Sequence, residues 1–218
     1  MSNTYLPISL SLKKRPCLIV GGGKVALRKI DTLLDFDCEL TVIAPEIVDK
    51  IKYYTDNNRL KLEQRPYNKS DAEKYGFVIA ACDDEDVNRM VYDDCQSAGI
   101  PINVVDNPPL CDVIFPAVIR RDCLTVAIST DGKAPFLSGY LRLILEEIFP
   151  KHWNRIARYA ANFRKELKNR WTDNPNQKAD CVDRFLKADW KEIIKENSED
   201  EIKAIIEDML KPSEPEAD

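Results

Sequence analysis

Three features are scarce in this sequence: long apolar runs, excess positive charge and histidine. No apolar segment approaches the roughly 18 residues that cross a bilayer, and the start Met-Ser-Asn-Thr-Tyr-Leu-Pro lacks the basic and apolar regions of a signal peptide. We therefore expect a cytoplasmic protein with no membrane partner. The net charge of −5 disfavours general nucleic-acid binding, which requires a basic face that neutralises phosphates.

The seven cysteines are scattered without a C-x-x-C pair, and His152 is the single histidine that could join them as a metal ligand. This spacing predicts neither a tetrahedral zinc site nor a disulfide framework. Several cysteines fall in or beside apolar runs, where a reduced cysteine behaves as a small hydrophobe: Cys17, Cys38, Cys82 and Cys123. We predict no resident metal.

Residues 16–36 are the stretch around which the rest of the chain is organised. A short apolar run typical of a buried strand leads into three glycines, after which apolar residues return at helical spacing. In that context the sequence fits G-x-G-x-x-G/A, the dinucleotide-binding pattern. Gly21 allows the tight turn, Gly23 lets a pyrophosphate approach the backbone, and Ala26 lets the helix pack closely on the strand. A glycine turn that binds nothing is the alternative.

Strand and helix patterns alternate along the first half of the chain, after a short extended lead-in over residues 1–15. Apolar runs predict strands over 17–20, 38–44, 76–81 and 102–105, and the alternating Leu60 and Leu62 predict another over 59–64. Helices are predicted between them over 25–34, 46–57, 70–75 and 83–99. Such alternation predicts an α/β fold with a parallel, doubly wound sheet of the Rossmann type.

The alternation stops near residue 110. Two β-rich segments, 113–118 and 124–129, indicate a hairpin joined by Ile-Arg-Arg-Asp-Cys, and helical patterns follow over 136–148, 151–169, 179–195 and 198–211. We predict four regions: a Rossmann domain over 1–112, a central β-containing region over 113–149, a helical C-terminal region over 150–211 and a disordered tail over 212–218.

The choice of nucleotide depends on the end of the second predicted strand. An acidic residue there holds the ribose hydroxyls of NAD, whereas an arginine accommodates the phosphate of NADP. The chain has Ile43-Ala44-Pro45-Glu46 at this point and no nearby arginine. Glu46 lies slightly beyond the usual position, but its charge would repel a 2′-phosphate, so we predict NAD. The alternative is that Glu46 is an ordinary residue in the first turn of a helix.

Asp106 follows the fifth predicted strand, in Asn103-Val104-Val105-Asp106-Asn107-Pro108. The carboxyl ends of the strands form the ligand crevice of an open α/β sheet, and a carboxylate opposite a nicotinamide is placed to act as a general base. An aspartate before Asn-Pro is also typical of a turn. The residues alone leave both interpretations open.

Several motifs between residues 5 and 160 resemble, in the same order, the siroheme synthase dehydrogenase/chelatase module. They are Leu6-Pro-Ile, Cys-Leu-Ile-Val-Gly-Gly-Gly-Lys-Val-Ala-Leu-Arg-Lys (17–29), Ala80-Ala81-Cys82-Asp83-Asp84 with Val87-Asn88, Asn103-Val104-Val105-Asp106, and Val126 to Pro135 with Leu141-Arg142. Beyond residue 165 only a helical character is shared.

This resemblance implies an NAD-binding Rossmann domain, a central dimerisation region of a homodimer and a helical C-terminal region. The implied reaction is the NAD-dependent oxidation of precorrin-2 to sirohydrochlorin, and some members also insert ferrous iron. The essential aspartate of the family falls on Asp106, which favours the general base. The NAD contacts fall on Gly23, Lys24, Val25, Pro45 and Glu46, with Ala81, Cys82 and Asp83 lining the groove.

Two departures from the family pattern lie in the turn Ser129-Thr130-Asp131-Gly132. Asp131 replaces a glycine beside the implied site. Thr130 takes the place of a serine that is phosphorylated in some members, so the same regulation is in doubt here.

A polycarboxylate macrocycle requires a local concentration of positive charge on a net-acidic protein. The candidate substrate-binding residues cluster in sequence in the central region: Arg120, Arg121, Thr130, Lys133 and Arg142. For each cation alone, a solvated surface residue is the alternative. His152 is the one histidine that could hold iron, although a histidine at a helix start is more often solvated.

Two further functions compete with the dehydrogenase. A non-enzymatic regulatory module could sense NAD through the Rossmann domain and signal through the helical region, without needing Asp106 or the basic central region. A dehydrogenase acting on a small acid has less support, because such enzymes commonly use a histidine as acid or base and His152 lies outside the Rossmann segment.

Overall fold

The computed structural model of the protein describes residues 5–212. These divide into two compact units, the first comprising residues up to 115 together with 131–133, and the second 116–130 together with 134 onward. The strands are β1 (Pro16–Val20), β2 (Glu39–Ile43), β3 (Lys61–Glu63), β4 (Phe77–Ala80), β5 (Ile102–Val104), β6 (Ala117–Arg121) and β7 (Leu124–Ile128). The helices are α1 (Lys24–Leu33), α2 (Asp49–Asp56), α3 (Glu85–Ala98), α4 (Pro135–Ile148), α5 (Trp153–Arg170), α6 (Pro175–Lys187), α7 (Trp190–Glu196) and α8 (Glu199–Met209).

The first unit is a five-stranded parallel sheet in the order β3-β2-β1-β4-β5. β1 lies at its centre, where Cys17 pairs with Leu40 of β2 on one side and with Phe77 of β4 on the other. Because the chain crosses from β1 outward to β3 and then returns to β4, the order reverses between β1 and β4. The predicted α/β fold with a parallel sheet is therefore confirmed.

Both faces of this sheet are covered, which explains why its central strands β1 and β4 are continuous apolar runs. Successive residues of β1 point to opposite faces. Ile19 packs in the cluster that contains Ile30 of α1, whereas Leu18 packs in the cluster that contains Val91 of α3. Both α1 and α3 begin at the carboxyl edge of the strands, so their first turns meet at that edge.

The second unit contains the antiparallel hairpin of β6 and β7 and the helices α4 to α8. α4 and α5 pack on the hairpin. The last four helices enclose an aromatic core in which the rings of Phe185 and Trp190 lie 4.4 Å apart. Within residues 5–212, none of the helices combines the length and the apolar character needed to cross a membrane.

Two predicted element boundaries in this unit are wrong. The first hairpin strand spans Ala117–Arg121 instead of 113–118, and the turn is reduced to Asp122 and Cys123, with Asp122 in the left-handed conformation at a φ of 57°. The helix predicted over 179–195 is two helices, α6 and α7. Ala188 is extended between them, and the Asp189 side chain caps α7 by accepting from the Glu192 N–H.

Three other expectations concern the chain ends and the division into domains. The described part of the lead-in, residues 5–15, has no strand, and of Leu6, Ile8, Leu10 and Leu12, whose alternation suggested an extended segment, only Leu12 is buried. Apart from residue 212, the tail predicted over 212–218 lies outside the described residues. The domain boundaries at 112 and 149, and the dimerisation role of the central region, stay predictions.

Candidate functional site

A cavity of about 800 Å³ opens at the carboxyl edge of the sheet, where the strand order reverses between β1 and β4. This is the edge at which open α/β sheets bind their ligands. All the residues predicted to contact the cofactor line it: Gly21, Gly23, Lys24, Val25, Pro45, Glu46, Ala81, Cys82 and Asp83. The structure therefore brings together three segments that follow β1, β2 and β4 and are far apart in the chain.

The glycine turn after β1 forms the floor of this cavity. Gly21 has a φ of +124°, and a Cβ placed there would lie 2.3 Å from the Ala81 carbonyl oxygen. Gly22, to which the sequence pattern assigned no role, is as constrained, since its Cβ would lie 2.0 Å from the Glu46 carbonyl oxygen. Gly23 has no atom within 4 Å of its Cβ position and faces open space. The turn thus packs tightly against the ends of β2 and β4 and leaves room for a ligand at Gly23.

The first turn of α1 fits a pyrophosphate. Gly23 precedes the helix and makes no side-chain cap, and no acidic residue occupies the first turn. The N–H groups there are consequently available to an anion, which the helix dipole also favours. Lys24 is exposed at the same point, and Ala26 is fully buried against the sheet, as the pattern requires.

The ends of β2 and β3 supply another wall. Glu46 is exposed beside the cavity, and the Gln64 side-chain amide donates to the Pro45 carbonyl at 3.4 Å. Sequence reasoning missed Tyr67, whose ring also lines the cavity. The Tyr67 hydroxyl donates to the buried Asp94 carboxylate at 2.8 Å and accepts from the Ala72 N–H at 3.1 Å. No local signal could have found this pair, because its members are 27 residues apart.

The loop after β4 is held by Asn88, a buried residue of α3. Its side-chain amide donates to the Cys82 carbonyl at 2.8 Å, and its amide oxygen accepts from the Cys82 N–H at 3.2 Å. Burial, together with the charges of Asp84 and Asp83, raises the pKa of the Cys82 thiol to about 11. The thiol is therefore neutral at physiological pH, and it contributes to the wall rather than acting as a nucleophile.

Asp106 lies just beyond β5 and is not among the residues that line the cavity. It has a φ of 59°, a left-handed conformation that aspartate tolerates better than most residues. The turn interpretation is therefore correct for its backbone, and the residue itself follows the carboxyl end of β5, where it is exposed. The segment 131–133 belongs to this same unit, with the Cβ position of Gly132 3.6 Å from Pro108. Lys133, exposed there, is thus near the Asp106 loop.

The other predicted substrate-binding residues belong to the second unit, and several already have protein partners. Arg121 donates from Nε to the Phe149 carbonyl at 2.7 Å and from Nη1 to the Arg120 carbonyl at 2.8 Å. Arg142 pairs with Glu146 at 2.9 Å. The Thr130 hydroxyl accepts from the Ala134 N–H at 3.2 Å, next to the start of α4.

The described residues contain no group of three or more histidine, cysteine, aspartate or glutamate side chains that could hold a metal ion. His152 directly precedes α5 and is half-buried. All seven cysteines are free thiols. The prediction of no resident metal stays a prediction.

Comparison with known proteins places this geometry in context. Residues 8–117 match a family model described as "Putative NAD(P)-binding". The curated relatives include the siroheme synthase of Methylococcus capsulatus, 43% identical over 164 residues, which cover 75% of this chain and 35% of the relative. The siroheme synthase of a Psychrobacter species is 40% identical over 168 residues, which cover 77% of this chain and 34% of the relative.

A solved structure of SirC, a precorrin-2 dehydrogenase, superposes with a TM-score of 0.76 at 22% sequence identity, covering 94% of this chain and 98% of that one. This likeness supports the fold. The chain spans about a third of the length of the siroheme synthases that it matches. The predicted resemblance to the siroheme synthase module is confirmed, and so is a nicotinamide dinucleotide as the cofactor class.

Proposed function

Because the chain belongs to this NAD(P)-binding family and its relatives include siroheme synthases, we propose that it oxidises precorrin-2 to sirohydrochlorin with NAD as the electron acceptor. The observation that carries the proposal is the arrangement of the first unit. A cavity lies beyond the ends of β1, β2 and β4, and a carboxylate, Asp106, follows the neighbouring strand β5. Oxidation by loss of a hydride and a proton requires an acceptor and a base in such proximity.

The residues present fit the cofactor. The open space at Gly23 and the uncapped first turn of α1 receive the pyrophosphate, with Lys24 adding a positive charge. Glu46 binds the ribose hydroxyls, and its charge disfavours NADP. Bound NAD supplies the hydride-accepting nicotinamide. Asp106 accepts the proton that the macrocycle loses as its bonds are rearranged, and the basic residues, Lys133 among them, hold the substrate's carboxylates.

A homodimer is the second part of the proposal. α4 exposes a row of large apolar side chains, including Phe136 at 80%, Tyr140 at 60% and Leu143 at 55% of their surface. Their spacing of four and three residues places them on one face of the helix. An exposed apolar face of this kind typically marks an interaction surface, and a second copy of the chain is the occupant that the family resemblance implies.

A cytoplasmic location and iron insertion complete the proposal. All seven cysteines are free thiols, as is usual in reducing compartments. Insertion of ferrous iron into sirohydrochlorin requires a base to remove the pyrrole protons, and Asp106 can perform that step as well. Iron is the substrate of this reaction, so it needs no permanent ligand set.

The test is an anaerobic assay of the purified protein with precorrin-2 and NAD, in which sirohydrochlorin and NADH are followed by absorbance. We expect both to form together, and Asp106→Asn to lower kcat by about 10²- to 10⁴-fold with NAD affinity unchanged. Asp37→Asn is the matched control, because Asp37 also has a positive φ, 52°, but lies before β2, away from the ligand edge. Ferrous iron added to the same sample then tests chelation.

NAD binding without turnover in the wild-type protein would contradict the enzymatic proposal. The NAD-sensing module would then be the better account. Equal losses of kcat in the Asp106→Asn and Asp37→Asn variants would show that the effect comes from changing an aspartate in a left-handed turn rather than from removing a base.

A further inference from the structure

The loop that carries Asp106 is anchored at both ends to β5, the last strand of the sheet. After β5 the chain passes through Asp106 and makes one turn of 3₁₀ helix, and residues 105–110 form what we call the Asp106 loop. The chain then returns along β5, where the Asp112 and Val113 N–H groups donate to the Ile102 carbonyl at 2.9 and 3.1 Å. One strand therefore holds both the start and the end of the loop.

The Cys111 side chain ties the two sides of this loop together. Its thiol has one proton to donate, with the Val104 carbonyl at 3.1 Å and the Asn107 carbonyl at 3.3 Å as acceptors. The sulfur also accepts from the Val104 N–H at 3.3 Å and from the Asn103 side-chain amide at 3.5 Å. The backbone groups of Val104, at the edge of the sheet, thus find a partner in a side chain where an inner strand would have another strand.

Further contacts fix Cys111 in its own place. The Tyr5 hydroxyl donates to the Cys111 carbonyl at 3.0 Å. The buried Asn103 side-chain amide donates to the Val113 carbonyl, two residues further along, at 2.9 Å. Burial raises the pKa of the Cys111 thiol, so the thiol keeps its proton at neutral pH and remains a donor. Cys111 is therefore a fixed and neutral link between β5 and the loop.

The position of Asp106 depends on this link, because its own carboxylate makes no contact that would hold it. Within residues 5–212 the carboxylate has neither a hydrogen-bond partner nor an ion-pair partner, and the residue is exposed. Its backbone has a φ of 59°, a conformation that persists only where the surrounding structure holds it. The backbone of the loop consequently decides where the carboxylate points.

We propose that Cys111 is a positioning residue for Asp106, which holds the carboxylate in the direction that proton removal requires by tying the loop back to β5. This inference rests on the proposed function and adds a residue to it. A general base must lie within hydrogen-bond distance of the proton that it removes, and a misplacement of about 1 Å can lower a rate by about 10²-fold. Because Cys111 acts through Asp106, it affects the chemical step and leaves the binding of substrate and NAD unchanged.

The first measurement compares Cys111→Ala, Cys111→Ser and the matched control Cys38→Ala in the anaerobic assay. Cys38 is another half-buried thiol of the first unit, which donates to the Leu33 carbonyl at 3.5 Å and precedes β2, at the amino ends of the strands. Cys111→Ala removes the link, so we expect kcat to fall by about tenfold, with KM for precorrin-2 and the Kd for NAD little changed. Cys111→Ser keeps a donor and an acceptor at the same point, so it should stay within about threefold of wild type, as should Cys38→Ala.

Two outcomes of this comparison would overturn the inference. One is a kcat of Cys111→Ala that equals that of Cys38→Ala. The other is a rise in KM at an unchanged kcat, which would assign Cys111 to substrate binding instead of to the position of the base.

The second measurement repeats Cys111→Ala in the Asp106→Asn variant, under single-turnover conditions with excess protein. If Cys111 acts through Asp106, the second substitution should lower the remaining rate by less than about twofold, because the carboxylate that it positions is gone. A thiol that only stabilises the fold would cause the same loss of rate with and without Asp106. An equal loss in the two backgrounds would therefore contradict the proposal.

The third measurement needs no turnover. Hydrogen exchange of the backbone amides in residues 103–113 should be about tenfold faster in Cys111→Ala than in wild type, because the loop opens more often without its link. Cys38→Ala should leave exchange in this segment unchanged. Equal exchange in Cys111→Ala and wild type would show that the thiol does not hold the loop, which would also overturn the inference.

The two proposals fail in distinguishable ways. If wild-type protein neither binds nor oxidises precorrin-2, the proposed function is wrong. If wild type oxidises it and Cys111→Ala matches wild type in kcat, or loses as much rate without Asp106 as with it, the role of Cys111 alone is wrong.

Discussion

Helices α1 and α4 differ in how far their apolar side chains are buried. In α1, Ala26, Ile30 and Leu33 are at most 1% exposed and pack on the sheet of the first unit. In α4, which contains more large apolar residues, Ser138 is the buried residue, and Phe136 is 80% exposed. Hydrophobicity therefore does not by itself locate a core, because what covers a helix decides how much it buries. The sheet of the first unit covers the apolar face of α1, whereas the apolar face of α4 stays exposed within residues 5–212.

The test with the largest expected effect replaces one leucine by arginine in each of the two helices. Leu33→Arg places a charge at a position that is 1% exposed, so we expect the free energy of unfolding to fall by about 4 kcal/mol or more. Leu143→Arg alters an exposed position, so the fold and the Kd for NAD should be unchanged, while the proposed dimer should dissociate. Chemical denaturation and light scattering measure the two effects. A Leu143→Arg variant that stays dimeric would show that the α4 face is not the interface.

The next test uses glycines in the same two regions. Gly22→Ala would bring a Cβ to 2.0 Å from the Glu46 carbonyl oxygen. We therefore expect the free energy of unfolding to fall by about 3 kcal/mol, and NAD binding to be lost. Gly139→Ala, within α4, meets no atom within 4 Å and should stabilise the protein by up to about 1 kcal/mol, because glycine is a poor helix former. Thermal unfolding of both variants checks the prediction, and destabilisation by Gly139→Ala would mean that α4 is already tightly covered.

Gly23→Ala separates binding from folding at the same turn. Its Cβ would enter open space at the cavity, so the unfolding free energy should change by less than about 0.5 kcal/mol. The Kd for NAD should rise by about tenfold or more, because the pyrophosphate needs that close approach. Calorimetric titration with NAD measures the change, and the unaltered fold is its internal control. An unchanged Kd would place the pyrophosphate elsewhere in the cavity.

The parts of the molecule that were predictable from sequence are those fixed by local patterns. The buried strands and the glycine turn follow from runs of adjacent residues, whereas most of the cofactor-lining positions were predicted from the resemblance to the siroheme synthase module. The break between α6 and α7 was missed although a signal was present, since Asp189 and Glu192 have the spacing of a helix cap and its partner. Contacts between distant residues, such as Tyr67 with Asp94, leave no local trace.

The role of Gly22 was missed for the same reason. Its constraint comes from the Glu46 carbonyl of the neighbouring β2 segment, and the pattern G-x-G-x-x-G/A leaves that position free. Site residues defined by their own segment are thus found from sequence, and those defined by a partner segment are not.

The smallest expected effect comes from removing one hydroxyl group in the first unit, and it compares a buried tyrosine at the cavity wall with an exposed one. Tyr67→Phe keeps the ring but removes the donor to the buried Asp94 carboxylate. We therefore expect the free energy of unfolding to fall by about 1 to 2 kcal/mol, with little change in the Kd for NAD. Tyr53→Phe is the control, since Tyr53 is 60% exposed. Its free energy of unfolding should differ from that of wild type by less than about 0.5 kcal/mol. A large rise in the Kd for NAD in Tyr67→Phe would instead show that the hydroxyl positions the wall for the ligand.

The pH dependence of stability tests this pair independently. Burial, and then the hydrogen bond to Asp94, raise the pKa of Tyr67 above its ordinary value of 10.0. A group whose pKa is higher in the folded state stabilises the fold fully below its unfolded pKa, and this contribution is lost as pH rises beyond it. Wild type should therefore lose stability more steeply above pH 10 than Tyr67→Phe, whereas Tyr53→Phe should follow wild type. Parallel curves of stability against pH for all three proteins would mean that the phenol of Tyr67 is not preferentially protonated in the folded state. The buried Tyr67–Asp94 pair would then contribute no more to the pH dependence of stability than the exposed ring of Tyr53.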